Sequence, residues 1–454
     1  MMDTICALAT APGGALGIIR ISGPQSLEIL SRIFSKNLNN TQPNTIHYGH
    51  IVERVAVPQQ HTAVIDEAMA SVFKAPHSYT GEDSVEISCH GSRYILNKVL
   101  ELLILHGCRM AEPGEFTQRA FLNGKMDLSQ AEAVADLIAS TNKATHDIAM
   151  SQLRGHFSSQ LAQLREQLLK LTSLLELELD FSDHEDLEFA DRTELNELVK
   201  AINKHITQLA HSFETGKAIK QGIPVAIIGK TNVGKSTLLN RLLHEERAIV
   251  SDIHGTTRDT IEDTIELQGV TFRFIDTAGI RQTTDAIEQI GIERTYAAIE
   301  KARIVLWLID KEPSSEEVSD ITQRTENKKL IIIINKIDKA DNNSYNLLKR
   351  PAIPISAKFG TGIDALEQAI YQAADIPTLT DTDVVVTNAR HYDALVRAQQ
   401  SIQRVIDGME LQLSGDLLSE DLRQALDTLA EITGGQITPN EVLGNIFKNF
   451  CVGK

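Results

Sequence analysis

Residues 225–239 read VAIIGKTNVGKSTLL, and this stretch decides the fold of the central part of the chain. An apolar run suited to a buried strand leads into a loop that fits G-x-x-x-x-G-K-[ST], and a leucine-bearing helix pattern follows. In this order of elements, backbone amides at the start of the helix bind phosphate groups. The stretch therefore predicts a nucleotide-binding α/β domain of the P-loop type.

Two residues of this loop are suited to a magnesium nucleotide. The Lys235 ammonium is expected to reach the β- and γ-phosphates, and the Ser236 hydroxyl is expected to hold Mg²⁺. The start of the helix adds partial positive charge at the same place. Downstream, the sequence GTTRD at 255–259 offers Thr257, which we assign as a second hydroxyl ligand of Mg²⁺.

A second motif follows the next strand pattern. The strand pattern FRFI at 272–275 leads into DTAG at 276–279, so Asp276 is expected at the end of a strand, near the metal. The Gly279 amide is expected to bond the γ-phosphate and so to sense hydrolysis. In Ras-like proteins a glutamine after DxxG orients the attacking water, but Ile280 stands here and cannot form a hydrogen bond. Another group must therefore place the water.

Two later motifs indicate which base is bound. NKID at 335–338 follows an apolar run, and SAK at 356–358 follows another, a pair that resembles the guanine-reading elements of GTPases. The Asp338 carboxylate can accept hydrogen bonds from guanine N1–H and the 2-amino group, a donor pair that adenine lacks. Asn335 can brace the loop, and Lys336 can lie along the base. The sequence therefore predicts GTP as the nucleotide.

These motifs together define the expected GTP site. Its residues are Asn232, Val233, Gly234, Lys235, Ser236, Thr237, Ser251, Asp252, Ile253, His254, Gly255, Thr256, Thr257, Asp276, Thr277, Ala278, Gly279, Asn335, Lys336, Asp338, Ser356, Ala357 and Lys358.

The 454 residues correspond to about three domains, at roughly 150 residues each. Strands alternating with helices across the centre are typical of a parallel sheet covered by helices. Helical periodicity on both sides suggests that this α/β unit is inserted into one helical domain; two separate helical domains are the alternative. The predicted segments are an α+β domain at 1–118, helical parts at 119–216 and 379–454, and the nucleotide domain at 217–378.

Composition narrows the class of protein. Hydrophobic residues make up 42% and charged residues 23%, which excludes disorder, collagen and disulfide scaffolds as descriptions of the whole chain. The formal charge of −17 weighs against a large non-specific nucleic-acid surface but leaves room for a local basic site. Four scattered cysteines without a CxxC pair suggest reduced thiols. Short apolar runs, and Asp3 where a signal peptide would carry a basic residue, predict a cytoplasmic protein without a membrane span.

The motifs extend beyond the nucleotide site. They are GIIRISG at 17–23, YTGED at 79–83, PGEF at 113–116, RAFLN at 119–123 and CVGK at 451–454. With these motifs the chain resembles, nearly end to end, the MnmE (TrmE) family of tRNA-modifying GTPases. The resemblance implies a folate-binding-like N-terminal α+β domain, a helical domain, and a Ras-like P-loop G domain inserted into it.

The resemblance also implies partners and a reaction. Members are homodimers through the N-terminal domain, here 1–118. With an MnmG-like partner that carries FAD, in a heterotetramer, they modify carbon 5 of the wobble uridine, position 34, of certain tRNAs. The added group is carboxymethylaminomethyl or aminomethyl, and its one-carbon unit comes from a 5-formyl or 5,10-methylene tetrahydrofolate derivative. FAD is therefore expected only in the partner, while this chain binds GTP and GDP.

A monovalent cation is the third implication of the resemblance. G domains of two subunits approach each other in the GTP state, and K⁺ takes the role of an arginine finger. The aligned K⁺ ligands are Asn232, Ser251, Ile253 and Thr256, and Glu288 aligns with the acidic residue that positions the water. Glu288, Lys235 and Gly279 are thus the candidate catalytic residues. Asn232 has a second interpretation as a loop-bracing amide, and Thr231 and Ser251 stand where the family usually has Pro and Thr.

Four residues align with folate contacts of the family: Arg20, Glu86, Lys125 and Lys454. Basic side chains suit the glutamate carboxylates of folate, and a carboxylate suits the amino donors of the pterin. The alternatives are that Glu86 is an exposed strand residue and that Lys125 is a turn residue. Cys451 is given no role.

Two rival functions remain open at this point. One is a ribosome-assembly GTPase, an RNA-binding switch without modification chemistry, although the charge of −17 and the N-terminal motifs weigh against it. The other is a folate-dependent enzyme whose G domain is only regulatory.

Overall fold

The computed structural model describes residues 3–54, 62–180, 192–245, 263–275, 288–339, 351–376, 383–435, 443, 446–448, 450 and 453. These residues divide into two compact units. The first contains Met1–Ala139, Gln152–Ile202 and Arg397–Lys454, and the second contains Ser140–Ser151 and Asn203–Val396. The four segments predicted from the sequence, 1–118, 119–216, 217–378 and 379–454, are not tested by this division and stay a prediction.

The secondary-structure elements are numbered along the chain. The strands are β1 (Ile5–Leu8), β2 (Leu16–Ser22), β3 (Thr45–Arg54), β4 (Thr62–Phe73), β5 (Ser84–His90), β6 (Arg109–Met110), β7 (Ile223–Ile228), β8 (Asp263–Leu267), β9 (Val270–Phe274), β10 (Ile304–Ile309), β11 (Lys329–Ile334) and β12 (Ala352–Pro354). The helices are α1 (Ser26–Ile33), α2 (Arg93–Leu105), α3 (Glu115–Leu122), α4 (Leu128–Ala139), α5 (Lys143–Leu153), α6 (His156–Asp180), α7 (Arg192–Gln221), α8 (Lys235–Glu245), α9 (Glu288–Lys301), α10 (Ser315–Arg324), α11 (Ile363–Ala373), α12 (Ala389–Glu410) and α13 (Gly415–Thr433).

The first unit contains a mixed six-stranded sheet in the order β3-β4-β5-β2-β1-β6. Its neighbours pair antiparallel, except that β1 and β6 are parallel. Helices α1 and α2 cover one face, because each has an apolar stripe that fills the core against β2, β4 and β5. The residue pattern predicts strands at 17–22, 68–74 and 84–88, and helical periodicity predicts a helix at 93–106; all four elements are confirmed.

Helices α6 and α13 of the same unit bury leucine stripes. Leucines repeat at helical spacing at 161, 164, 168, 171 and 175, which predicts one buried helix face, and all five are buried. Helix α13 buries Leu418, Leu422 and Leu429 and ends at Gly434, whose φ of +75° is the left-handed conformation expected of a C-terminal glycine.

The spacing of Ser129 and Glu132 predicts a capping box ahead of one long helix through Met150, but the structure differs from this prediction at both the start and the end of the helix. The expected capping box at Ser129 and Glu132 lies two residues earlier, because Asp127 accepts from Gln130 N while the Gln130 side chain accepts from Asp127 N. The helix also stops at Ala139 instead of running to Met150. A second helix, α5, starts after Asn142, whose side chain accepts from Thr145 N. Asp127 and Gln130 have the D-x-x-Q spacing, which marks a helix start in the same way as S-x-x-E.

The second unit contains the α/β sheet, in the order β12-β11-β10-β7-β9-β8. All pairs are parallel except β8 with β9. Helices α8 and α11 cover one face and helices α9 and α10 the other, each with its own apolar core. This is the doubly wound architecture predicted from the strand–helix alternation, and its ligands bind at the carboxyl ends of the strands.

In the part of the chain that the structure describes, no helix is long and apolar enough to cross a membrane. The cytoplasmic location expected from the sequence stays a prediction. Cys6, Cys89 and Cys108 are buried and form no disulfide.

Candidate functional site

The loop between β7 and α8 has the conformation of a phosphate-binding loop. Gly229 has φ +147° and Gly234 has φ +103°, so both positions favour glycine. Space also requires them: a Cβ on Gly229 would overlap the Leu308 carbonyl, and one on Gly234 would overlap the Asn335 amide. Asn232, between them, is held at φ +61°. The glycines let the chain turn tightly before α8 begins.

Lys235 opens α8 and folds back over the loop. Its Nζ donates to the Gly229 carbonyl at 2.6 Å and to the Lys230 carbonyl at 2.8 Å. Burial lowers the pKa of Lys235, because the protonated amine is less well solvated there. A bound phosphate would supply the negative charge that this half-buried ammonium lacks. Ser236, next in the helix, is half-buried, and its hydroxyl oxygen is a ligand type that Mg²⁺ accepts.

Asn335 joins the phosphate-binding loop to the SAK segment. Its Nδ2 donates to the Val233 carbonyl at 2.7 Å, and its Oδ1 accepts from Ala357 N at 3.0 Å. The residue is buried, so both bonds are shielded from water. The carboxyl ends of β7, β11 and β12 are thereby tied together at one edge of the sheet.

Lys336 is bonded to the same loop. Its Nζ donates to the Asn232 carbonyl at 2.6 Å and forms an ion pair of 2.7 Å with Asp310, at the end of β10. Sequence reasoning missed Asp310, although it follows a buried strand at the edge where ligands bind. The ion pair holds the backbone of Asn232 in place.

Asp338 is exposed and faces the SAK segment. Ser356 Oγ donates to Asp338 Oδ1 at 2.6 Å, and this bond lowers the pKa of Asp338, which keeps the carboxylate ionised. Arg241 of α8 donates to the Lys358 carbonyl at 2.8 Å and so also holds the segment. Arg241 was not predicted, because an arginine on a helix face gives no sequence signal of this contact. An ionised, exposed carboxylate at this place can accept two donors from a base.

The structure brings together the expected residues of three motifs, 232–237, 335–338 and 356–358. The other expected residues lie outside the described residues. These are Ser251, Asp252, Ile253, His254, Gly255, Thr256, Thr257, Asp276, Thr277, Ala278, Gly279 and Lys454, together with the side chain of Glu288 at the start of α9.

A second candidate site is a pocket of about 90 Å³ in the first unit, lined by Arg20, Phe73, Tyr79, Thr80, Ser84 and Glu86. Arg20 and Glu86 are directly opposite on β2 and β5 and form an ion pair of 2.7 Å. The Arg20 guanidinium lies 5.5 Å from the Tyr79 ring centre, and it donates to the Gly453 carbonyl at 3.2 Å. The pocket thus offers a cation, a carboxylate and aromatic rings.

Two predicted folate residues, Arg20 and Glu86, therefore meet in this pocket. Lys125 does not line it and instead donates to the Pro76 carbonyl at 2.9 Å. Tyr79, the first residue of the YTGED motif, also lines the pocket, and the sequence pattern alone predicted no role for it. Its hydroxyl bonds Thr117 at 2.8 Å, and burial raises its pKa, so the ring stays neutral.

A cluster of ion pairs is connected to the pocket by hydrogen bonds. Arg119 is buried and pairs with Asp3, Glu82 and Glu115 at 2.9 to 3.2 Å. Ser22 links Glu82 to the pocket residue Thr80 through bonds of 2.8 and 2.7 Å. Hydrogen bonds from a second arginine, Arg109, lower the pKa of Asp3 to about 2.

Comparisons with known proteins identify the same family along the whole length of the chain. A family model described as MnmE helical domain matches residues 128–451, and one described as GTP-binding protein TrmE N-terminus matches residues 4–125. The tRNA modification GTPase MnmE of Phocaeicola vulgatus is 56% identical over 494 residues, covering 100% of this chain and 99% of its own. The protein of that name from Flavobacterium johnsoniae is 50% identical, with the same coverage. The G domain of the T. maritima FeoB iron transporter is 26% identical over 34% of this chain and 98% of its own, with a TM-score of 0.26.

Proposed function

The chain belongs to the MnmE family of tRNA modification GTPases, and from this premise we propose how its two candidate sites act together. GTP bound between the P-loop and the SAK segment is hydrolysed, and hydrolysis drives modification of carbon 5 of the wobble uridine in certain tRNAs. An MnmG-like flavoprotein carrying FAD is the partner. The one-carbon unit comes from a tetrahydrofolate derivative in the pocket at Arg20.

The observation that carries the GTPase part of the proposal is the pair of hydrogen bonds that the Asn335 side chain forms with Val233 and Ala357. It sets the phosphate-binding loop and the base-reading segment at a fixed separation before any nucleotide binds. A site preorganised in this way loses little entropy when GTP enters. Asp338, kept ionised by Ser356, then selects guanine because it accepts the N1–H and 2-amino donors together.

Lys235 and the loop amides bind the phosphates. On binding, the Lys235 ammonium exchanges its two carbonyl acceptors for phosphate oxygens, where charge develops as the γ-phosphoryl group leaves. Ser236 and Thr257 are the proposed Mg²⁺ ligands. When bound, Mg²⁺ would neutralise phosphate charge at the same point.

A monovalent cation would supply further positive charge where charge develops on the phosphates. We place K⁺ beside Asn232, with Ser251, Ile253 and Thr256 as further ligands. Two observations support this proposal. Lys336 bonds the backbone carbonyl of Asn232, and the backbone of Asn232 is left-handed, so the loop is braced through the Asn232 backbone. Among the described residues, the bonds that brace the loop do not use the Asn232 side chain. Glu288 is the proposed water-positioning residue.

A homodimer through the first unit is supported by one face of its sheet. Tyr48 and Met69 are directly opposite on β3 and β4, and Ile46 lies two residues from Tyr48 on the same face. Their exposed fractions are 54%, 47% and 68%, although the opposite face of the sheet is covered by helices. An apolar patch of this kind on a sheet is suited to a second copy of the chain.

GTP turnover by the purified chain tests the proposal directly. The rate in K⁺ should exceed that in Na⁺ at equal ionic strength, and Asn232→Ala should remove the difference. Asn240→Ala, an exposed asparagine of α8, is the matched control and should keep it. Equal rates in both salts would remove the cation from the mechanism, and absence of turnover in every salt would contradict the GTPase assignment.

A further inference from the structure

The turn between β8 and β9 contacts the start of helix α5. Gln268 and Gly269 both have positive φ, +51° and +80°, as a tight hairpin turn requires. The Gly269 carbonyl accepts from Ala144 N at 3.1 Å. A Cβ on Gly269 would lie 3.1 Å from the Cβ of Lys143, so glycine permits both the turn and the close approach. The contact between the turn and α5 therefore depends on the glycine at position 269.

The side chain of Asn142 is bonded to both partners of this contact. Its Nδ2 donates to Thr271 Oγ1 of β9 at 2.7 Å, and its Oδ1 accepts from Thr145 N of α5 at 2.9 Å. Asn142 is buried, so neither bond is easily replaced by water. The side-chain amide of Asn142 therefore caps α5 and holds the hairpin at the same time. A displacement of the hairpin must strain the cap of α5, and the reverse is also true.

The hairpin reaches from this contact to the nucleotide edge of the sheet. Strand β9 is parallel to β7, and Val225 pairs with Phe274 while Ile223 pairs with Phe272. Because β7 continues into the P-loop, the turn at Gly269 lies at the opposite end of the sheet. Strand β8 is an edge strand that pairs only with β9 among the described strands. The chain leads from β9 directly into DTAG at 276–279 and enters β8 just after GTTRD at 255–259.

We propose that Asn142 is a positioning residue that couples the β8–β9 hairpin to helix α5. Through this coupling, the stability of the first turn of α5 depends on whether GTP or GDP is bound. The proposal rests on the proposed function only in requiring that the chain binds GTP and GDP. A hairpin held differently in the two states changes the geometry of the Asn142–Thr271 bond. Asn142 then caps α5 better in one state than in the other. A difference of one hydrogen bond, about 1 kcal/mol, corresponds to about a fivefold change in the opening equilibrium.

Hydrogen exchange of the peptide 140–153 tests this coupling in the full-length chain. Exchange is compared with GDP and with the non-hydrolysable analogue GMPPNP, and binding of both nucleotides is measured separately by calorimetry. Thr271→Val removes the oxygen that Asn142 donates to, but it keeps side-chain shape, strand propensity and the cap of Asn142 on Thr145. Thr264→Val, at an exposed position of β8 in the same hairpin, is the matched control.

We expect exchange in 140–153 to differ about fivefold between the two nucleotides in the wild type and in Thr264→Val, and to become equal in Thr271→Val. A merely structural role of Asn142 would shift exchange in both states alike. If the wild type binds both nucleotides with equal exchange, or if Thr271→Val keeps the full difference, the coupling is wrong. If the chain binds neither nucleotide, the proposed function fails and the coupling fails with it.

Discussion

Asn335 donates a 2.7 Å hydrogen bond to the carbonyl of Val233, 102 residues earlier in the chain, and its amide nitrogen occupies the place that a side chain at Gly234 would take. The NKID and P-loop motifs are thereby one structural unit. Neither motif can be shifted without breaking a buried bond. Recognition of the base and binding of the phosphates therefore depend on the same side chain.

Asn335→Ala should weaken both GTP binding and stability. The substitution leaves the Val233 carbonyl and the Ala357 amide without their buried partner, at a cost of about 1–3 kcal/mol for each group. We expect the melting temperature to fall and the GTP affinity to drop at least about tenfold, by calorimetry. Asn240→Ala should change neither quantity, and an Asn335→Ala protein with wild-type affinity would contradict the bridging role.

Asp338→Asn should change the preferred base. The amide can donate to the 2-oxo group of xanthine, whereas it cannot accept two donors from guanine as the carboxylate does. GTP affinity should fall about 100-fold or more and XTP affinity should rise, in competition binding against a labelled guanine nucleotide. Unchanged preference for GTP would show that Asp338 does not read the base.

Replacement of Arg20 should weaken folate binding and leave GTP binding unchanged. Arg20→Gln leaves Glu86 without its 2.7 Å partner and takes away the cation that faces the pocket. Calorimetry with 5-formyltetrahydrofolate should show at least about a tenfold loss of affinity, as expected for a charged hydrogen-bond donor. Arg93→Gln, an exposed arginine at the start of α2, is the control. No folate binding by the wild type would favour the RNA-binding switch instead.

Asp3 should contribute stability in an acid-dependent way. Its pKa is lowered from 3.8 to about 2 by Arg109, so the folded state favours the ionised carboxylate. The contribution is fully present above pH about 4 and is lost as the pH falls through about 2. The carboxylate is half exposed, so solvent keeps the effect small. The melting-temperature gap between wild type and Asp3→Asn should be constant from pH 7 to 5 and shrink below 4; a gap that grows on acidification would contradict this.

The strands and loops of the G domain could be predicted because the P-loop, DTAG, NKID and SAK motifs each directly follow a run of residues typical of a buried strand. The apolar runs at 304–309 and 330–334 coincide with β10 and β11 almost to the residue. Strand β8 was missed, because DTIEL carries only two apolar residues and its partner is reached through a Gln-Gly turn. The positive φ of Gln268 comes from the hairpin itself and leaves little trace in the sequence.

The supporting residues of the sites were the least predictable part. Asp310, Arg241 and Asn142 act through contacts with residues distant in sequence, and no local motif marks them. Residues that bind a common ligand keep a characteristic spacing, whereas residues that brace them need only the right position in space. Arg20 and Glu86 were predicted to bind folate through family resemblance, and their pairing across β2 and β5 follows from strand register.

The measurement that tests the account most directly is mass analysis of tRNA nucleosides from a bacterial strain that lacks its own gene for this protein. Complementation with the wild-type chain should restore the modified wobble uridine. Lys235→Ala, first shown to be folded and inactive in GTP turnover, should leave the uridine unmodified. Full restoration by that inactive variant would contradict the claim that GTP hydrolysis at this site drives the modification.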